Sequence, residues 1–306
     1  MQKSQTICQS AIAAHIFQDS TTVNYKLVKL QNGTFSVRSL AEGETFHPVI
    51  GPAAEAETLY VKQLALPERI RASREPFIVW DVGLGAGANA TAVIRATENT
   101  PCTLCLHSFD RTLEPLRFAL EHASQLGYLS GYESTVRNLI DCGTARVRET
   151  LRTVHWQLHI GSFPELLLHP ELFREISPHA ILFDPFSPAT NPEMWTLSLF
   201  SRMYQLLSPN RPCALATYSR STMLRVSLLL AGFHVGRGHS SGEKEETTIA
   251  ANAPELIAHP LDRRWLGRAR RSTSAEPLMA PVYRQAPLSA ESWERLLVHP
   301  QFSSTA

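Results

Sequence analysis

FIVWDVGLGAGANATAVIRAT, residues 77–97, decides the fold. Its first six residues are apolar or β-branched apart from Asp81 and read as a strand, which runs directly into Gly83, Gly85 and Gly87. Glycines at alternate positions let the chain turn sharply and bring its backbone close to a ligand. Helical spacing resumes at Asn89, so a helix N-terminus stands behind the loop. Strand, glycine loop and helix in that order form the nucleotide-cofactor unit of a parallel α/β sheet, and a glycine turn used only for packing is the plainer alternative.

Outward from that unit, apolar strands alternate with amphipathic segments. Strands are predicted at 77–82, 103–109, 156–160, 180–184, 213–217, 233–237 and 246–251, and helices at 89–97, 113–126, 191–207 and 221–231. The linker GHSSGEK, 238–244, is too short for a helical crossover, so the seventh strand returns antiparallel. A seven-stranded, mostly parallel sheet with an antiparallel last strand is the Rossmann-like layout of class I methyltransferases. Upstream, residues 25–39 predict a β-hairpin turning at Asn32-Gly33 in a type I′ turn, and 53–66 predict a helix whose continuation Pro67 limits. The chain thus divides into a hairpin–helix module at 20–75, a cofactor-binding domain at 76–255, and a Pro-, Arg- and Ser-rich tail at 256–306, predicted to be irregular and to pack back through Trp265 and Trp293.

Composition narrows the class. The chain has 306 residues, 43% hydrophobic and 19% charged, with a formal net charge of +1, which excludes a disordered chain and a strongly basic histone-like binder. No apolar run reaches the length of a membrane span, and His15 interrupts the short apolar stretch near the N-terminus, so the cytoplasm is the expected compartment. Cys8, Cys102, Cys105, Cys142 and Cys213 form an odd, scattered set that fits a reducing compartment; Cys102 and Cys105 are expected to be buried core thiols. The histidines show no metal-ligand spacing, and His107, His155 and His159 read as packed or hydrogen-bonded, so no metal is expected.

Three segments carry candidate chemistry. Gly83-x-Gly85-x-x-Ala88 also matches a permissive dinucleotide fingerprint, so the loop alone does not separate NAD from S-adenosylmethionine. Asp81 discriminates between them, because a carboxylate there opposes a pyrophosphate and suits a sulfonium and an ammonium. Asp110 ends the second strand, where a ribose diol would lie, and its plainer role is to cap the helix at Leu113. The fourth strand delivers Asp184 into the stiff loop Pro185-Phe186-Ser187-Pro188, where a carboxylate beside a ring can accept N–H bonds from an amine and stack a planar base. The plainer reading has Asp184 capping a turn and Phe186 in the core.

Three motifs resemble the methyltransferase domain of the bifunctional tRNA wobble-uridine modification protein, the 5-methylaminomethyl-2-thiouridine methyltransferase family. DVGLGAGANA, 81–90, is similar to its E-x-G-F-G-x-G-x-N, with Asn89 in place. FDPFSPATNPEMW, 183–195, is similar to its D-x-F-[AS]-P-x-x-N-P-x-[ML]-W, and ATYSRSTMLRVSLLLAGFHV, 216–235, with Gly242 and Lys244 resembles its strand, helix and glycine-lysine loop. The resemblance implies S-adenosyl-L-methionine as methyl donor and the amine of 5-aminomethyl-(2-thio)uridine at the tRNA anticodon wobble position as acceptor. With the residue reading above, it puts Asp184 and Phe186 at the reacting amine, Asp81, Gly83, Gly85, Gly87, Asn89, Asp110, Ser162 and Asp184 at the cofactor, and Pro188, Lys244, Arg263 and Arg264 on the substrate side.

Pro185, Glu245 and Ser162 depart from the family, which has Gly or Ala, a basic residue, and often an acid at those positions. About fifty residues follow the sheet, too few for the FAD-dependent oxidase domain of many relatives, so a standalone methyltransferase without the oxidative step is expected. Arg263, Arg264, Arg268, Arg270 and Arg271 form a basic cluster that would contact phosphates or else be solvated, and Arg69, Arg71 and Arg74 form a weaker one. Two further classes stay open: a transferase acting on another amine, including aminopropyl transfer, and a non-catalytic cofactor-binding scaffold. Nothing in the sequence specifies an oligomer.

Overall fold

The structure, a computed structural model, describes residues 24–240 and 246–303, so Cys8 and His15 lie outside the described residues. Strands β1 (Tyr25–Lys29) and β2 (Phe35–Ser39) form the N-terminal hairpin. Its turn is not type I′, because of Asn32 and Gly33 only the glycine has positive φ. Asn32 folds its side chain onto the Thr34 N–H and hydroxyl, at 3.1 and 2.7 Å, an Asx arrangement that competes with the left-handed conformation. The helix predicted over 53–66 is broken into α1 (Pro52–Ala56) and a π-helical turn, Glu57–Lys62. Ala65, left-handed at φ 47°, then opens α2 (Leu66–Ala72). Pro67 therefore belongs to the first turn of a new helix, where its missing N–H is no loss.

All seven strands predicted for the sheet are present: β3 (Phe77–Val82), β4 (Cys102–Asp110), β6 (Arg152–Ile160), β7 (Ala180–Phe183), β8 (Ala214–Thr217), β9 (His234–Gly238) and β10 (Thr247–Ala251). An eighth, β5 (Thr144–Arg148), pairs antiparallel with β6 at one edge, and its exposed Thr144, Arg146 and Arg148 mask the outer edge against further pairing. The order is β5-β6-β4-β3-β7-β8-β10-β9, with β10 antiparallel between β8 and β9. Register positions the site. Val82 lies opposite both Phe109 and Phe183, so Gly83, Asp110 and Asp184 leave the sheet at one level.

Helices cover both faces. The π-helical turn, α2, α3 (Ala88–Ala96), α4 (Glu114–Glu121), α5 (Ala123–Leu126) and α6 (Glu133–Cys142) share one apolar core, which also takes Val37 of the hairpin. The other core takes α7 (Phe163–Leu166), α8 (Leu197–Leu206), α9 (Thr222–Ala231), α10 (Arg263–Arg271), α11 (Ala290–Leu297) and α12 (Pro300–Ser303). The helix predicted over 113–126 is interrupted at His122, and the one over 191–207 at Thr196, which is extended and caps α8 by accepting the Leu199 N–H at 3.2 Å. Cys213 is buried, whereas Cys102 and Cys105 in β4 are only half-buried, one packed at the margin of each core. Among the described residues no helix is long and apolar enough to cross a membrane.

The tail is irregular over residues 272–289 but carries helices on either side of that stretch. Asp262 accepts the Trp265 N–H at 2.7 Å and starts α10, whose Trp265, Leu266 and Ala269 are buried in the second core. Arg270 lies over the Trp293 ring at 5.2 Å and donates to the Leu288 carbonyl at 3.2 Å. Trp265→Ala should therefore lower global stability by about 3–5 kcal/mol, the usual effect of emptying a buried aromatic site, measured by chemical denaturation. A loss below about 1 kcal/mol, the level of ordinary surface substitutions, would show that the tail is not part of the cooperative unit.

Candidate active site

A cavity of about 380 Å³ opens beyond the carboxyl ends of β3, β4, β6 and β7, where the sheet's strand order reverses direction. Ligands of open α/β sheets bind at this point because the diverging loops leave a crevice. Gly83 holds two of those loops together: a Cβ built on it would meet the Asp184 carbonyl oxygen at 2.7 Å, and its φ is +91°. The strand-to-loop approach thus excludes any side chain. Gly85 lines the cavity, while Gly87 does not and packs against Leu116.

Asp184 lines the cavity with its side chain 15% exposed. Its backbone N–H donates to the Val82 carbonyl at 2.9 Å and its Oδ2 accepts from Asn89 Nδ2 at 2.7 Å, so loop and helix both fix the carboxylate. His47 Nε2 lies 3.7 Å from the same Oδ2, and His47 Nδ1 lies 3.9 Å from Glu55 Oε2. Phe186 is half-buried on the cavity wall with its ring centroid 5.3 Å from that of Phe46, and its carbonyl accepts the Trp195 indole N–H at 2.8 Å. Glu44 clamps the proline loop, accepting from the Ser187 N–H at 3.2 Å and from the Ser187 and Thr190 hydroxyls at 2.5 Å each.

The arm 41–48, with Glu44, Phe46 and His47, is the part of the site that residue-by-residue sequence reasoning missed. It follows a hairpin with no spacing or motif that announces a ligand. Burial and the Asp184 carboxylate raise the pKa values of Tyr60, behind the wall, and of Tyr218, which lines the cavity, and keep both phenols neutral. The Tyr218 hydroxyl donates to the Pro185 carbonyl at 3.1 Å.

Asp110 lines the cavity and accepts backbone N–H groups from Gly85 at 2.8 Å and Thr112 at 3.3 Å. Burial raises its pKa. It does not cap α4, whose first N–H is met by the Thr112 hydroxyl at 3.2 Å. Ser162 lines the cavity beside Phe163. Asp81 does not: alternation along β3 turns it onto the face of Phe77 and Val79, fully buried behind the wall, whereas the strand-end position in the sequence suggests direct contact with the cofactor. Its Oδ2 accepts the Ser108 hydroxyl at 2.8 Å, and Ser108 accepts the Trp156 indole N–H at 2.9 Å. Its Oδ1 has no hydrogen-bond partner among the described residues. Burial, reinforced by Asp184 and Asp110 against the Ser108 bond, pushes the carboxyl up to about 7.

Pro188, Arg263 and Arg264 lie outside the cavity lining, and Lys244, with Gly242 and Glu245, lies outside the described residues. Arg263 donates to the Phe302 carbonyl at 2.8 and 3.1 Å. Arg69 is spent on the His179 and Pro212 carbonyls, which dissolves the weaker basic cluster. His107 and His159 bond each other at 3.0 Å, His155 faces Arg146, and no group of metal-ligating side chains occurs among the described residues.

The charge set decides between cofactor classes. Among the described residues, Glu42, Glu44, Glu55, Asp110, Glu114, Asp184 and Glu193 line the cavity against a single guanidinium, Arg111, which is itself 3.2 Å from Glu193. Seven carboxylates around one cavity oppose a pyrophosphate and fit a ligand carrying a sulfonium and an ammonium. Residues 135–253, which contain β5 to β10 and the Asp184 loop, match a family model described as S-adenosyl-L-methionine-dependent methyltransferase. That segment belongs to this methyltransferase family.

The methyltransferase is 28% identical over 242 residues to the tRNA 5-methylaminomethyl-2-thiouridine biosynthesis bifunctional protein MnmC of Methylibium petroleiphilum, covering 78% of this chain and 36% of that protein. The namesake from Stutzerimonas stutzeri is 27% identical, covering 82% of this chain and 39% of its own. The methyltransferase therefore spans little more than a third of the length of these relatives. The crystal structure of MnmC2 from Aquifex aeolicus superimposes with a TM-score of 0.64 at 22% identity, covering 90% of this chain and 83% of that one, which shows a shared fold.

The Asp81 position has a pH signature. Its carboxyl is at about 7 in the folded chain and near the ordinary ~3.9 when unfolded. Between those values the folded state holds more protons than the unfolded state, so this group's contribution to stability falls as pH rises. Asp81→Asn should match wild type in thermal midpoint near pH 4, gain on it up to about pH 7, and keep a constant advantage above. A difference independent of pH would place the Asp81 carboxyl in a solvated setting.

Proposed function

We propose that this methyltransferase transfers a methyl group to the amine of 5-aminomethyl-(2-thio)uridine at the wobble position of tRNA. The observation that carries the reading is Asp184, held by Asn89 at 2.7 Å beside the Phe186 and Phe46 rings in a carboxylate-lined cavity. The substrate named in the printed titles of the MnmC relatives supports the choice of acceptor. S-adenosyl-L-methionine supplies a sulfonium methyl; the amine lone pair forms the N–C bond while the C–S pair leaves with sulfur.

The protein's residues do the rest. The Gly83–Ala86 backbone would take the amino-acid portion, Asp110 the ribose hydroxyls and Ser162 the base edge. Asp81, behind them, sets the field under the loop. Asp184 accepts N–H bonds from the incoming amine, takes the proton its ammonium form must lose, and keeps the lone pair in line. Phe186 and Phe46 give the pyrimidine an apolar ledge. On the outer surface, Arg264, Arg268 and Arg271 are exposed at i, i+4, i+7 on α10 and are the proposed phosphate contacts, whereas Arg263 and Arg270 hold carbonyls.

Labelled methyl transfer into tRNA from cells lacking this modification step, followed by nucleoside analysis, tests the reading. Label should appear on the aminomethyl nitrogen of the wobble uridine. Label on another amine, or aminopropyl incorporation from the decarboxylated donor, would reassign the substrate, and no transfer at all would leave a binding scaffold. Asp184→Asn should preserve cofactor binding and slow single turnover by about 10²–10⁴, the range of a positioned acid–base group, with partial recovery at high pH. An unchanged rate would move proton acceptance to solvent or backbone carbonyls.

Neutralising Arg264, Arg268 and Arg271 together should weaken tRNA binding and make its salt dependence shallower, by about 0.7–0.9 in log–log slope for each phosphate left unneutralised. Equal slopes in a filter-binding series would place the tRNA surface elsewhere.

A further inference from the structure

Among the described residues Arg111 is the one guanidinium or ammonium that lines the cavity, against seven carboxylates. It follows Asp110 directly, on the loop that leaves β4, and its side chain is 54% exposed, which places it at the mouth. Its Nη1 donates to Glu193 Oε1 at 3.2 Å, on the 3₁₀ turn Pro192–Trp195. β4 and β7 flank β3, so the pair joins loops from opposite sides of it. The 3₁₀ turn belongs to the substrate wall, because Met194 lines the cavity and the Trp195 indole bonds the Phe186 carbonyl. Glu193 does not depend on the arginine. With its amide oriented by hydrogen bonding, Asn191 donates from Nδ2 to Glu193 Oε1 and Oε2 at 2.8 and 2.9 Å. The carboxylate therefore keeps a donor when the guanidinium leaves, and a pair this exposed contributes little to stability.

An RNA acceptor brings one negative charge with every nucleotide, and the cavity it must enter is lined with carboxylates. Repulsion would push the wobble nucleotide away unless a cation stands where its backbone passes. We propose that Arg111 is a phosphate-binding residue for the acceptor RNA: its guanidinium takes a backbone phosphate flanking the wobble uridine and leaves Glu193 to Asn191. The inference rests on the proposed tRNA acceptor. A guanidinium suits the exchange because its planar fork matches phosphate as well as carboxylate and stays charged at every working pH. The contact also orients the substrate. With the base on the Phe186 and Phe46 ledge and a phosphate on Arg111, the nucleotide is held at both ends and its amine faces Asp184.

An anticodon stem-loop carrying the aminomethyl uridine, with single phosphates replaced by neutral methylphosphonates, tests the contact by filter binding. Arg111→Ala should bind S-adenosyl-L-methionine as wild type does, bind the all-phosphate stem-loop about tenfold more weakly, and lower the log–log salt slope by about 0.7. A methylphosphonate at one of the two phosphates flanking the wobble uridine should cost wild type a similar factor. It should cost Arg111→Ala nothing further, because both changes remove one interaction. Glu193→Gln, which removes the competing carboxylate, should tighten stem-loop binding by about two- to fivefold. If neither flanking methylphosphonate distinguishes wild type from Arg111→Ala, the proposal is overturned. It is equally overturned if Arg111→Ala loses cofactor affinity while its stem-loop affinity stays at the wild-type level, which would make the pair a bar over the cofactor.

Wild-type activity on full-length tRNA separates this from the substrate reading. If wild type transfers no methyl to the tRNA, the proposed acceptor fails. The phosphate contact is then judged by NMR of the Arg111 Nε–H during titration with uridine 5′-monophosphate and, separately, with uridine. The nucleotide must shift that resonance and the nucleoside must not; equal shifts, or none, overturn the contact.

Discussion

The contact on which the rest of the site depends is the approach of Gly83 to the Asp184 carbonyl, so close that a Cβ would stand 2.7 Å from the oxygen. It joins the two loops that diverge at the reversal of strand order. The Asp184 N–H on the Val82 carbonyl and Asn89 on the Asp184 carboxylate complete the joint, at 2.9 and 2.7 Å. Glycine loop, first helix and acid loop therefore move as one body, and the carboxylate that faces the cavity is aimed by backbone geometry. An enzyme that must align a lone pair with a methyl carbon gains more from such rigidity than from an additional contact.

Negative charge is the second constraint. Seven carboxylates around one cavity repel one another and depend on N–H and O–H donors and eventually a cationic ligand to be tolerated. Asp81 is pushed up to about 7 chiefly by its burial, with the Asp184 and Asp110 carboxylates adding to the rise. Asp110 relieves part of this repulsion through the Gly85 and Thr112 N–H groups, and Glu44 relieves its share by binding Ser187 and Thr190. The same arrangement that selects a sulfonium over a pyrophosphate also ties the N-terminal arm onto the proline loop.

The seven predicted strands were legible because buried parallel strands are short apolar runs, and β3 ends on glycines that admit few other uses. β5 was not, because TARVR at a sheet edge is mostly polar and exposed. α6 was written in the spacing of Val136, Leu139 and Ile140, but the charged residues between them diluted the pattern. In the tail, five arginines masked a stripe made of Trp265, Leu266 and Ala269, so a helix with one buried face resembled a solvated segment.

For the site, the sequence by itself determined which residue types stand at strand ends: Gly83, Asp110 and Asp184 can be numbered from the strand pattern alone, because side-chain alternation and strand length are local properties. Facing was harder even there, since Asp81 lies one register step from the cavity level and so turns to the other side of the wall. Only the tertiary structure decided that a hairpin arm some 140 residues before the acid loop closes the cavity with Glu44, Phe46 and His47, as the Glu44–Ser187 bond records. Such a contact is long-range. It depends on how a module packs across a sheet, and no local periodicity encodes that.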